Sequence, residues 1–379
     1  MSTKLKLFKD LEHEQVVFCN QPEIGLKAII AIHSSVLGPA LGGTRMWPYP
    51  TEEAALEDVL RLSKGMTYKS AACGLNFGGG KAVIIGDPKH EKSESLFRAF
   101  GAFIQRMNGQ FLTGEDVGVD VNDMEFVFME TQYVVGLSKA HGGSGDPSPM
   151  TAYGVIQGML ASIERQFDQK TLRGLTVCVQ GLGHVGMHLV ELLIQNGAKV
   201  IACDIDPKLC QAAKEKFKIE IVDSNDIYQK KCDIFAPCAL GGVLNEKTIP
   251  LLKCKIIAGS ANNQLQEDED AKRLKERGIL YAPDYVVNAG GLINVALELE
   301  GYSAPRAQIL TRNIYYNLKR IFQIADDENI LPHLAANHLA EERLLKISQI
   351  RRAHSLDASK IRRIHAVETS HQESKKKVA

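Results

Sequence analysis

A two-domain α/β protein, with a doubly wound parallel sheet in its second domain, is the fold class this sequence predicts, on three observations. Its 379 residues exceed what one hydrophobic core usually organises, and an apolar content of 45% is ample for two. From about residue 150 onward, short apolar runs rich in β-branched residues alternate with helical patterns, as parallel strands joined by helical crossovers require. The first third instead mixes strands, a long helix and glycine-rich stretches, which marks it as a separate α/β unit.

Taken in order, LKAIIAIH (26–33) reads as a strand and PALGGTRMWPYP (39–50) as a turn-rich loop. Thr51, Glu52 and Glu53 then give a helix cap with an acidic first turn. Leu56, Val59, Leu60, Ser63 and Met66 recur at helical spacing, with Lys64 and Lys69 towards the C-terminal end, where the helix dipole favours cations. Residues 74–80, GLNFGGG, read as a loop stripped of side chains that delivers Lys81 to the strand KAVIIG (81–86). A helix follows at 95–107, and FLTGEDVG (111–118) is a strand ending in the acids Glu115 and Asp116. The second unit opens with a helix at 151–167. Strands are expected at 175–180, 199–206 and within DIFAPC, KIIAGS and ILYAPD, and the chain looks helical from 286 to about 352. Beyond that lies a polar tail.

Composition narrows the partners. Forty-five basic residues balance 45 acidic ones, so no global field attracts nucleic acid or an anionic membrane. The eight cysteines never adopt the C-x-x-C spacing of zinc or redox sites, which fits a reduced, cytoplasmic protein and no metal. The opening MSTKLKLFKD has no apolar h-region and no later run is long enough to span a bilayer. Small molecules and copies of the same chain are the expected partners.

Two stretches carry chemistry. Gly80-Lys81 is not a phosphate loop: the first glycine that pattern requires falls on Leu75, Ala82 stands where a hydroxyl should bind magnesium, and the loop precedes a strand instead of a helix. The second stretch is Gly181-Leu182-Gly183-His184-Val185-Gly186, a G-x-G-x-x-G that follows an apolar strand, opens an amphipathic helix and precedes a strand ending in Asp204. That context is the dinucleotide-binding fingerprint of the Rossmann fold: glycines let backbone N–H groups approach a pyrophosphate at a helix N-terminus, and the acid accepts from a ribose diol. Asp204 and Asp206 together repel a 2′-phosphate, favouring NAD over NADP. His184 and His188, four apart on the helix, lack a third ligand and read as surface or packing histidines.

A nicotinamide cofactor in one domain calls for a substrate with a hydridic C–H in the other, and Lys81 becomes a candidate for acid-base work. An ammonium is a poor base, so a lysine with that task needs burial or a second cation to disfavour its charge. Lys69 can be that cation while gripping a carboxylate. Only one of Glu115 and Asp116 can face a cleft, since neighbours on a strand point to opposite sides. On residue chemistry by itself, Lys81 reads equally as a surface lysine and Asp116 as a turn former.

The stretches LGGTRMWPYPTEEAALEDVLRLSKGMTYKSAACGLNFGGGKAVI, TGEDVG, GDPSPMTAYGV, QGLGHVG, DIFAPCALGG, IAGSANNQL and YAPDYVVNAGGLINV, taken together and in this order, resemble the glutamate, leucine, phenylalanine and valine dehydrogenases, the leucine branch above all. The resemblance runs from roughly residue 10 to 350. It implies NAD-dependent, reversible oxidative deamination of an L-amino acid to a 2-oxo acid and ammonium, in a cleft between a substrate-binding and oligomerisation domain (1–135, joined by returning helices 326–352) and a Rossmann domain (136–325), with 353–379 as a loosely ordered tail. It also implies a homo-oligomer, an octamer in the leucine branch.

Carried over by motif, Lys81 activates water, Lys69 holds the α-carboxylate and Asp116 exchanges a proton with the amino nitrogen. Gly42 and Gly43 line the substrate site with backbone, and Asn262 positions the nicotinamide side. Leu41, Leu292 and Val295 line the side-chain pocket. All three are apolar, so a γ-carboxylate would be buried unpaired and branched aliphatic substrates (leucine, valine, isoleucine) fit best. Phenylalanine or valine dehydrogenase is the alternative within the family. From another class, a catalytically silent NAD-binding regulator would be marked by loss of Lys81 or Asp116; both are present. One departure is Leu297, where the family pattern carries an acid.

Overall fold

A computed structural model describes residues 13–350. They form two compact units: 13–146 with 295–304 and 340–350, and 147–294 with 305–339. The expected tail at 353–379 lies outside the described residues.

The first unit is built on a five-stranded sheet, β1 (Gln15–Gln21), β2 (Leu26–Ser34), β3 (Ala40–Trp47), β4 (Gly78–Ile85) and β5 (Phe111–Glu115), in the order β1-β2-β4-β3-β5. β2 runs antiparallel to β1 and β4, while β3 is parallel to both β4 and β5. Helix α1 (Glu52–Ala72), capped by the Thr51 hydroxyl as expected, lays Ala55, Leu56, Val59 and Leu60 against Ile29, Ala31 and Val83. Helices α2 (Glu94–Arg106) and α3 (Val121–Phe128) complete the unit, with Phe97, Phe100 and Ile104 of α2 fully buried.

Two expectations from the sequence fail here, for one reason. Residues 39–50 read as a loop, yet Ala40–Trp47 is a strand. Residues 74–80 also read as a loop, yet Gly78, Gly79 and Gly80 are the first residues of β4. Their glycines are in the strand because neighbouring atoms leave no room for a side chain. A Cβ on Gly42 would lie 1.7 Å from the Gly80 carbonyl oxygen, and one on Gly79 would lie 2.1 Å from the Thr67 nitrogen in α1. Turn composition therefore imitates a loop where the chain is in fact extended and crowded.

The second unit carries a six-stranded, all-parallel sheet: β6 (Thr176–Gln180), β7 (Lys199–Cys203), β8 (Glu220–Ile221), β9 (Ile234–Pro237), β10 (Ile256–Ile257) and β11 (Leu280–Tyr281), in the order β11-β10-β9-β6-β7-β8. That is the doubly wound Rossmann order, with its switch point between β6 and β9. Helices α4 (Ser148–Phe167), α5 (His184–Gln195), α6 (Pro207–Phe217) and α7 (Glu269–Glu276) connect or flank the strands. The chain continues through α8 (Asp284–Val287), α9 (Gly290–Ala296), α10 (Ala304–Asp327) and α11 (Pro332–Ser348).

The division differs from the one read in the sequence. Residues 136–146 stay with the first unit because the carboxylate of Glu298, fully buried, accepts from the Gly136 and Ser144 backbone nitrogens at 2.9 and 2.8 Å and from the Ser144 hydroxyl at 2.6 Å. The C-terminal return begins at Ala340, not at 326: the end of α10 is held in the second unit by the Arg165–Asp326 ion pair.

Candidate active site

In the first unit the reactive groups are set by strand geometry. Gly79 faces α1 at Thr67, and Lys81, two residues further along β4, points to the same side of the sheet. Lys81 is only 6% exposed, so it is not a surface lysine. Its Nζ lies 3.0 Å from Oδ2 of Asp116, just past the end of β5. Glu115 turns the other way, with its Cγ beside Gly136, so of the two neighbouring acids Asp116 meets the lysine.

Arg45, which no motif in the sequence singles out, joins this pair. Its Nε donates to the same Oδ2 of Asp116 at 3.1 Å, and its Nη1 donates to Asp58 of α1 at 2.9 Å. Asp58 also accepts from the Tyr49 hydroxyl at 2.6 Å and from Arg61 at 3.0 Å. Burial by itself would raise the Asp116 carboxyl, but Lys81 and Arg45 outweigh it and hold Asp116 below the usual carboxylate range. Asp116 is thus an anion flanked by the Lys81 amine and the Arg45 guanidinium. The group that shares its Oδ2 with Lys81 is Arg45.

The backbone around the pair is bare. A Cβ on Gly43 would lie 3.0 Å from the Asp116 Cβ and 2.6 Å from the Glu115 carbonyl oxygen. Between Leu41 opposite Gly79 and Thr44 opposite Ala82, the β3–β4 pairing is interrupted at Gly42-Gly43 without a change of register. Lys69 is half-buried near the C-terminus of α1. The guanidinium of Arg343 closes that helix end, donating to the Ser70, Ala71 and Leu75 carbonyls. Leu41 is fully buried, and Leu292 and Val295, one turn apart on α9, are half-buried.

In the second unit the glycine motif forms the turn from β6 into α5. Gly181 adopts φ +106°, a left-handed conformation that favours glycine. A Cβ on Gly186 would lie 2.0 Å from the Gly181 carbonyl oxygen, whereas one on Gly183 would meet nothing within 4 Å. Gly183 is the N-cap of α5, where no side chain caps the first turn, and His184 is exposed. An open, uncapped helix N-terminus fits a pyrophosphate. Asp204 accepts from the Leu182 nitrogen at 2.7 Å and the Asp206 nitrogen at 2.8 Å, which ties the end of β7 to the glycine turn. Asp206, read in the sequence as a second repelling acid, caps α6 by accepting from Lys208.

Two large apolar side chains flank this turn in solvent: Ile205 is 88% exposed and Leu240, next to the Ala239 that walls Gly181, is 77% exposed. Asn262 is exposed, and its Oδ1 accepts from the buried Asn288 at 2.6 Å; Asn288 also donates to the Ser260 carbonyl. Asn288, Ile205 and Leu240 are not singled out by the sequence. Adjacency to Asp204 and to the CALGG turn is the only signal that could point to the latter two.

The family described as Glu/Leu/Phe/Val dehydrogenase, dimerisation domain, matches residues 13–133, and that described as glutamate/leucine/phenylalanine/valine dehydrogenase matches 142–208 and 204–351. The chain is 55% identical to leucine dehydrogenase of Geobacillus stearothermophilus over 93% of its own length and 96% of the relative's. It is 50% identical to phenylalanine dehydrogenase of Caldalkalibacillus thermarum, over 91% and 95%. Among solved structures, L-tryptophan dehydrogenase from Nostoc punctiforme is similar at a TM-score of 0.81 and 44% identity, covering 91% of this chain and 99% of that one.

Proposed function

Since the chain belongs to the glutamate/leucine/phenylalanine/valine dehydrogenase family, and is thus an oxidoreductase acting on CH–NH2, we propose that it deaminates branched-chain L-amino acids, leucine first, to 2-oxo acids and ammonium with NAD. The observation that carries the chemistry is the buried Lys81 amine held 3.0 Å from Asp116 beside a bare glycine backbone.

The glycine turn 181–186, with His184 and Val185 among its N–H donors, holds the pyrophosphate; Asp204, tied to Leu182 of that turn, holds the ribose, and Asn262 the nicotinamide side. NAD, when bound, supplies the acceptor for the Cα hydride. Lys69 grips the substrate α-carboxylate and the backbone at Gly42 and Gly43 supports it. Asp116 takes a proton from the substrate ammonium, so that the nitrogen lone pair can assist loss of the hydride. Lys81 orients a water onto the resulting iminium carbon and takes its proton. Once Lys81 has passed the water proton to solvent, Asp116 returns its proton to the adduct's nitrogen, Lys81 takes the hydroxyl proton as the carbonyl forms, and the C–N bond breaks to release ammonia. An unpaired γ-carboxylate against Leu41, Leu292 and Val295 costs several kcal/mol, which disfavours glutamate. A single methylene is worth only about 1–3 kcal/mol, so valine and isoleucine are used too.

A homo-oligomer, octameric as in the leucine branch, follows from the same reading. The name of the dimerisation-domain family supports self-association, as do Phe18 on the outermost strand β1 and Trp47 at the end of β3, both about half exposed. No described helix is long and apolar enough to cross a membrane, and we place the enzyme in the cytoplasm. The test is NADH absorbance with leucine, valine, isoleucine, phenylalanine and glutamate at alkaline pH. Branched substrates are expected to lead. A lead for phenylalanine would move the assignment to the aromatic branch, and tight NAD binding with no turnover on any of the five would make the protein a regulator. Lys81→Ala is expected to abolish turnover with NAD affinity retained; a near-wild-type rate would remove the mechanism.

A further inference from the structure

We propose that Arg45 is a positioning residue of this reaction: with Lys81 it pins one carboxylate oxygen of Asp116, which leaves the other oxygen to meet the substrate nitrogen. The inference rests on the deamination reading above and extends it to a group outside the assigned machinery.

Geometry carries the argument. Lys81 Nζ and Arg45 Nε approach the same atom, Oδ2, at 3.0 and 3.1 Å. They come from adjacent strands, β4 and β3. Two donors on one oxygen fix both the position and the rotation of the carboxylate, and the Gly43 backbone packs behind its Cβ. Arg45 is itself fixed, because its Nη1 donates to Asp58 Oδ2 at 2.9 Å, and Asp58 is shared with Tyr49 and Arg61. A guanidinium presents donors along two edges of one rigid plane and so can span Asp116 and Asp58 together; a lysine, a single point charge on a flexible stem, cannot. The charged groups around Asp116 are Lys81 from β4 and Arg45 from β3, which touch it, and the neighbouring Glu115, whose side chain turns away, with Asp58 of α1 acting through Arg45.

The consequence for catalysis is a division of labour. Arg45 keeps Asp116 anionic until it takes the substrate proton and aimed throughout, so that Lys81 can turn to the water without releasing the carboxylate. Misaim of a catalytic group by about 1 Å costs on the order of 100-fold in rate.

The test uses the full chain and two variants, Arg45→Met and Arg45→Lys. Leucine kinetics are read alongside the Asp116 carboxyl, followed by infrared difference against Asp116→Asn. Arg45→Met is expected to lower kcat about 100-fold with little change in leucine KM, and its Asp116 carboxyl should titrate at higher pH. Arg45→Lys should bring that titration back towards wild type while kcat stays well below it, because the charge returns without the fork. Wild-type kcat in either variant overturns the proposal, as does an Asp116 titration in Arg45→Met that matches wild type. If Arg45→Met fails to fold, Arg45→Lys decides by its kcat alone. Should the wild-type protein turn over no amino acid, the deamination reading falls, and the carboxyl titration still reports whether Arg45 holds Asp116.

Discussion

At Gly42 an added methyl group would sit 1.7 Å from a backbone oxygen; at Gly183 it would meet nothing within 4 Å. Both glycines belong to motifs assigned to binding, but they do different work. In the first unit, the glycines of β3 and β4 lie in extended backbone and are required because strand meets strand and helix too closely for a Cβ. In the second, Gly181 is required for its left-handed turn and Gly186 for a close approach within that turn. Gly183 has neither constraint. The fold asks of it only a helix N-cap, and its open face leaves room for a phosphate there.

That contrast can be broken by substitution. The largest effect is expected at Gly42→Ala, where neither the Gly80 carbonyl nor its strand can yield: a loss of about 3 kcal/mol in the urea unfolding of the first unit. Tolerance of this change would mean that β3 and β4 separate easily. Gly183→Ala should alter cofactor-free stability by less than about 1 kcal/mol yet weaken NAD binding about tenfold, by interposing a methyl before the pyrophosphate. Calorimetry with and without NAD separates the two, and unaltered NAD affinity would return Gly183 to the ordinary helix caps.

A pH experiment sharpens the other side. Asp116 has a folded-state carboxyl held below its unfolded value, so the stability it contributes is present above about pH 3.9 and is lost as pH falls through the folded value. Asp116→Asn should therefore be less stable than wild type at neutral pH, with the gap closing on acidification below about pH 4; a gap independent of pH would mean that the ion pairs do not stabilise the fold. The smallest effect separates the two acids after β7. Asp206→Ala should cost about 1 kcal/mol as a lost helix cap and leave the preference for NAD over NADP alone, whereas Asp204→Ala should weaken NAD more than NADP.

What is legible in the sequence follows the range of the interactions concerned. The G-x-G-x-x-G turn, its flanking strand and helix, and Asp204 are all close in the chain, and they appear where periodicity and turn chemistry put them. The cap at Thr51 and the apolar face of α1 are equally local. β3 and the start of β4 read as loops, because the same composition that makes a turn also permits two strands to crowd. Glu298 is invisible for a related reason. The family pattern points to a missing acid at Leu297, while the buried carboxylate is the next residue, and its value comes from donors at Gly136 and Ser144.

By itself the sequence determined the secondary-structure alternation and the order of the dinucleotide-binding elements, since each depends on neighbouring residues or on a motif of fixed spacing. Only the tertiary structure decided that Asp116 and not Glu115 meets Lys81, that Arg45 completes the pair, and that Asp206 is a cap. Coulomb attraction and hydrogen bonding act over a few ångströms of space, and the groups they join here come from strands and helices far apart along the chain.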